Sequence, residues 1–135
     1  MERDTYEKEH MLLILWSCQS YVEKLLDIVK EKKSWYYNIQ CFKEDNSNEM
    51  KIVLENIRQC VQYMPQRYQT LRRFVEKNCD DISRKVYDGL DENKMKIKAV
   101  CQQLHAFLEK QANIFNTSHL NYELYLQECQ PKFKC

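Results

Sequence analysis

Residues 11–29 read MLLILWSCQSYVEKLLDIV. Met11, Leu15, Cys18, Val22, Leu25 and Val29 recur at 4-3-4-3-4 spacing, the interval at which side chains share one face of an α-helix. Leu12, Ile14, Tyr21, Leu26 and Ile28 widen that stripe to the flanking positions, as Trp35 does further on. A stripe this broad suits a helix packed inside a bundle better than the narrow seam of a two-stranded coiled coil.

Working outward, the same period predicts one helical segment over about 4–42, with Tyr36 and Ile39 continuing the stripe. Lys43-Glu44-Asp45-Asn46-Ser47 is the first polar break. Asn46 or Ser47 is placed to cap a second segment, with Glu49 three residues after Asn46. Met50, Val53, Leu54, Ile57, Cys60, Val61 and Met64 then repeat at helical spacing. Pro65 removes a backbone donor, yet Tyr68, Leu71, Val75, Cys79, Ile82 and Val86 resume the pattern. The second segment, about 47–88, is therefore either kinked at Pro65 or broken there into two helices. Asp88-Gly89-Leu90-Asp91 is the clearest stop, with Gly89 in the position of a left-handed helix terminator and Asp91 as the next cap. A third segment, about 91–130, carries its stripe on Ile97, Val100, Leu104, Phe107, Gln111 and Ile114. Asn116-Thr117-Ser118 weakens it, and Leu120, Leu124, Tyr125 and Leu126 offer a last short helical piece before Pro131.

The expected fold is all-α: a single domain over 1–135 forming an elongated antiparallel bundle of three long helical segments, or four helices if Pro65 is a true break. Composition agrees. Among 135 residues there is one glycine and there are two prolines, where roughly 7% glycine is usual. One glycine excludes glycine-rich phosphate loops and dinucleotide-binding turns, which need several residues without a Cβ. Net charge is +1, with 30% charged residues. No general field for nucleic acid or an anionic membrane follows from that balance, and neither partner is expected. The apolar run at Met11–Trp16 is too short, and its leading residues too acidic, for a signal peptide. No stretch approaches the ~20 apolar residues of a membrane helix.

The seven cysteines lie at 18, 41, 60, 79, 101, 129 and 135. None form a C-x-x-C pair, which disfavours a zinc ribbon or a thioredoxin motif. Cys18, Cys60, Cys79 and Cys101 fall on the apolar stripes, where a thiol acts as a small hydrophobe. Reduced thiols in an intracellular protein, cytoplasmic or nuclear, are the expectation. The minority alternative is a secreted, disulfide-bonded, cytokine-like four-helix ligand or antagonist, which the Asn116-Thr117-Ser118 glycosylation sequon permits.

Catalytic constellations are thin. Glu7-x-x-His10 is half of a di-iron bundle signature, but the positions three before His105 and His119 are Gln102 and Asn116. An acidic, solvated first helical turn explains the pair better. His105 follows Cys101 by one turn, but position 101 is mid-helix on the core stripe, unlike a nucleophile beside an oxyanion hole. No catalytic, metal or cofactor-binding residue is assigned. Arg67, Arg72 and Arg73 read as a solvated face with local ion pairs.

Trp35-Tyr36-Tyr37 is more informative. Consecutive helical residues step by ~100°, so three aromatics cover too much of the surface for one neighbouring layer to bury. They mark either the centre of a bundle or a partner-binding surface. Met11–Trp16 poses the same choice, with core the stronger reading. The functional expectation is a non-enzymatic interaction module, an adaptor or assembly subunit. It presents Trp35, Tyr36, Tyr37 and Trp16 to a protein partner with a helix to offer, or to a second copy in a homo-oligomer.

Overall fold

The computed structural model describes the backbone of residues 2–30 and 39–133, and side chains over 5–30 and 46–116. Helix α1 spans Glu2–Val29. It contains neither glycine nor proline, and its predicted stripe from Met11 to Val29 is buried throughout. Helix α2 spans Ile39–Gln62. The first predicted segment, about 4–42, is thus not one helix, and the polar stretch Lys43–Ser47 lies inside α2 rather than between two helices. The reason is chemical. Lys and Glu are good helix formers, Asp, Asn and Ser only mildly poor ones, and no glycine or proline forces a stop. Asn46, expected as a cap, is a buried residue of α2.

At the other end of α2 the chain does stop. Tyr63 N–H donates to the Cys60 carbonyl and Met64 N–H to the Val61 carbonyl, the tighter bonds that commonly finish a helix. Pro65 follows with φ −57° and ψ 150°, outside helical geometry, and heads a short 3-10 turn, Gln66–Tyr68. The proline therefore breaks the middle segment and does not merely kink it. A proline fits this position because the first amide of a helix has no internal acceptor.

Helix α3 spans Gln69–Phe133 and bends at Gly89, where φ is 131° and ψ 109°. The φ is positive, as expected of the terminator, though the ψ differs from that of a left-handed helical residue. The two arms fold back on each other. Phe74 meets Phe107 with ring centroids 4.1 Å apart, and Tyr68 meets the edge of Phe115 at 5.4 Å. Asn93 closes the corner: its amide donates to the Lys85 carbonyl at 3.1 Å and to the Gly89 carbonyl at 3.0 Å. Two carbonyls at the end of the first arm thereby gain a donor. Neither Asn116–Ser118 nor Pro131 ends the second arm, which stays helical to Phe133.

Glu7 and His10 lie beside Arg67 and Tyr63, so the start of α1 meets the end of α2. Arg58 bridges to Asp80 and Glu23 to His105. The described residues hold no strand, and α1, α2 and the two arms of α3 run antiparallel in turn around one apolar core.

One stripe departs from its expected register. In the second arm of α3 the buried residues are Ile97, Cys101, Leu104, Leu108, Ala112 and Phe115, while Ile114 is 50% exposed. The spacing 4-3-4-4-3 averages 3.6 residues, the turn of a straight helix. The predicted series 97-100-104-107-111-114 averages less, so it drifts off the inward face within five turns.

Candidate functional site: an exposed face of α1

Met11–Trp16 divides between core and surface. Met11, Leu12, Ile14 and Leu15 are buried, whereas Leu13 is 61% and Trp16 49% exposed. Six successive apolar residues cannot all point inward on one helix. The two that point out lie one turn apart, on one outer edge of α1. With Ser17, Ser20, Tyr21 and Lys24 they line a shallow groove. The Lys24 ammonium sits 5.5 Å from the centre of the Tyr21 ring, within cation–π range.

Tyr21 is shared with a second depression, at the seam of α1 and α2, which also takes in Gln59, Cys60 and Tyr63. Tyr63 is largely exposed. The two depressions therefore share Tyr21, with Trp16 lining the first and Tyr63 the second. A third depression, between α2 and the first arm of α3, carries charges of both signs, with Arg58, Arg73 and Lys77 facing Glu76 and Asp80.

Of the four residues expected to bind a partner, Trp16 is on this surface. Trp35, Tyr36 and Tyr37 lie outside the described residues. Sequence reasoning did not single out Leu13, Tyr21 or Tyr63 as surface residues. Leu13 was legible because it and Trp16 are the two members of the 11–16 run that fit neither the stripe nor its flanks. Tyr63 had a weaker signal, its position between the stripe residues Val61 and Met64 just before Pro65.

The other candidate groups are engaged elsewhere. Glu7 Oε1 is 2.6 Å from Arg67 Nε, and His10 Nε2 donates to the Tyr63 carbonyl at 3.2 Å. Glu7 and His10, in the second and third turns of α1, are thus fastened to the Pro65 corner instead of being fully solvated. His105 Nε2 is 3.2 Å from a Glu23 carboxylate oxygen on α1. Arg72 pairs with Glu76 at 2.9 Å. Among the described residues, no three of His, Cys, Asp and Glu come together so as to hold a metal ion.

Four thiols lie in or at the edge of the core. Cys18, Cys79 and Cys101 are buried, and Cys60 is part-exposed. Burial pushes the Cys79 and Cys101 thiols up to about 12, and raises Cys18 further still. Burial also raises Cys60, and a hydrogen bond from Cys18 opposes that rise. Comparison with known protein families, curated proteins and solved structures gave no significant match.

Proposed function

We propose that this chain is a non-enzymatic α-helical interaction module, an adaptor or assembly subunit, that docks a partner helix on the outer face of α1. The observation that supports this is the joint exposure of Leu13 and Trp16 beside a groove continuing over Tyr21. Large apolar side chains in water gain ~25 cal/mol for each Å² they bury, and a partner realises that gain after the cost of association. Tryptophan and tyrosine are the residues most often found to dominate such surfaces. A groove of this kind, bordered by exposed apolar and aromatic side chains, suits the apolar ridge of an amphipathic helix, one of the recurring modes of peptide recognition. Membrane insertion is not part of this reading, since no helix among the described residues is long and apolar enough to cross a membrane. The free thiols of Cys18, Cys60, Cys79 and Cys101 fit an intracellular, reducing setting.

A photo-crosslinking residue at position 16 identifies what docks, a second copy of the chain included. Trp16→Ala then weakens that complex by ~1–4 kcal/mol while helical content and thermal midpoint stay near native. Loss of folding together with loss of binding would show that Trp16 supports the core and would overturn the assignment.

A further inference from the structure

The depression between α2 and the first arm of α3 is lined by more cations than acids. Arg73, Lys77 and Arg84 stand along α3 with Glu76, Asp80 and Ser83, and Arg58 reaches in from α2. At ~100° per residue, positions 73, 77, 80 and 84 fall within a strip about 60° wide on one side of the helix. Arg73, Lys77 and Arg84 are exposed.

The two acids of this groove are already matched. Asp80 Oδ1 accepts from Arg58 Nη2 at 3.0 Å. Glu76 Oε1 accepts at 2.9 Å from Nε of Arg72, which is not part of the lining. Among the described residues, neither Arg73 nor Lys77 pairs with an acid. Arg84 Nη2 is 3.9 Å from Asp81 Oδ1, the outer limit of an ion pair, and Lys85 holds the same oxygen at 2.5 Å. Of the arginines at 67, 72 and 73, then, the first two form the ion pairs expected of a solvated face and Arg73 does not. Arg73, Lys77 and Arg84 leave an uncompensated positive stripe along the groove.

We propose that this groove docks an acidic helical segment of a partner protein, whose carboxylates meet Arg73, Lys77 and Arg84. The three cations are four and then seven residues apart, about 6 Å and about 10 Å along the axis at ~1.5 Å per residue. No single small anion spans that stripe. A helix lying alongside matches it with acids at i, i+4 and i+11, and the Ser83 hydroxyl offers a further donor beside them. A nucleic-acid strand fits less well. It brings a charge every ~3.4 Å, so some phosphates fall against Glu76 and Asp80, where like charges repel. The chain's net charge of +1 gives such a polyanion no long-range attraction either. Exposed ion pairs are individually weak and screened by salt, so the contact is modest in affinity and salt-sensitive. The groove shares no residue with the one beside Leu13 and Trp16, and the proposal does not rest on that face.

The test is an NMR titration of the isotope-labelled full chain with two alanine-rich helical peptides of equal composition. One carries glutamates at i, i+4 and i+11, and the other distributes the same glutamates around its helix. The first is expected to shift the amides around Arg58 and from Arg73 to Arg84, and to bind about tenfold more tightly than the second. Raising salt from ~20 mM to ~300 mM should weaken it about tenfold. Arg73→Gln together with Lys77→Gln should weaken it about tenfold as well, while Trp16→Ala leaves it within about twofold. Equal affinity for the two peptides, shifts scattered over other faces, or tighter binding of a single-stranded oligonucleotide at the same residues overturns the proposal. Loss of binding in Trp16→Ala would place the peptide on α1 and overturn it too. The wild-type shift map decides this even if a variant fails to fold.

Discussion

Glu7 Oε1 lies 2.6 Å from Arg67 Nε, and this ion pair joins the first turns of α1 to the corner that Pro65 makes at the end of α2. The oxygen is buried and has no donor aligned on it as a hydrogen bond, so the attraction is chiefly one of charge. Arg67 is about half exposed and also lies over the Tyr68 ring, 5.1 Å from its centre. Water weakens a pair of this kind. A double-mutant cycle with Glu7→Gln and Arg67→Ala is expected to give a coupling of ~0.5–1 kcal/mol in dilute buffer. The coupling should shrink in 1 M salt, where the screening length falls to ~3 Å. A coupling indifferent to salt would mean that Arg67 acts through packing on Tyr68.

Gly89 makes the second corner. A Cβ there would meet nothing nearer than Glu92 Oε2 at 3.9 Å, so a substitution meets backbone strain rather than a clash. With φ at 131°, Gly89→Val is expected to destabilise by ~1–3 kcal/mol, and Gly89→Ala by less. Asn93→Ala, which leaves the Lys85 and Gly89 carbonyls without their shared donor, should cost ~1–2 kcal/mol. Denaturant titration measures all three. A neutral Gly89→Val would remove the bend from the description of α3.

The buried thiols make stability depend on pH in alkali. Cys79 and Cys101 keep their protons in the folded state up to about 12, whereas an unfolded chain loses them near 9. Below about pH 9 both states are protonated and the contribution is intact. Between about 9 and 12 the unfolded state binds fewer protons, so stability falls by about 1.4 kcal/mol per pH unit for each such thiol. Lysines and tyrosines titrate in the same range, so the informative quantity is the difference between proteins. Cys101→Ala should show a slope shallower by about that amount in urea melts at several pH values. An unchanged slope would mean that Cys101 ionises equally in both states.

The register of the second arm of α3 makes Leu108 and Ile114 opposites. Leu108 has no exposed surface, while Ile114 is half exposed. Leu108→Ala should cost ~2–5 kcal/mol. Ile114→Ala should stay within about 1 kcal/mol, as expected of a surface change. Comparable losses at the two positions would restore the stripe that runs through Ile114.

These contrasts show what a single sequence reveals and where it falls short. The α1 stripe from Met11 to Val29 was legible because its period held for five turns without a break. Gly89 was legible because positive φ is nearly its own signature. The Lys43–Ser47 stretch misled, since polarity says where water is and not where a helix ends. Ile114 was misplaced because small errors in period accumulate over several turns. At the candidate surface, Trp16 could be named as unusual but not placed outside the core. Its exposure depends on how α1 rotates against α2 and α3, which its own residues do not encode.

The bend at Gly89 also bears on the order in which the chain assembles. The two arms of α3 face each other across one tight corner, so Phe74 and Phe107 meet after a short search. Glu23 and His105, by contrast, are 82 residues apart. Closing the shorter loop costs less chain entropy and comes sooner. The hairpin is therefore expected to form before α1 docks on its second arm. In pulse-labelled hydrogen exchange, amides of both arms should gain protection before those of α1. Simultaneous protection would mean that the bundle condenses as a whole.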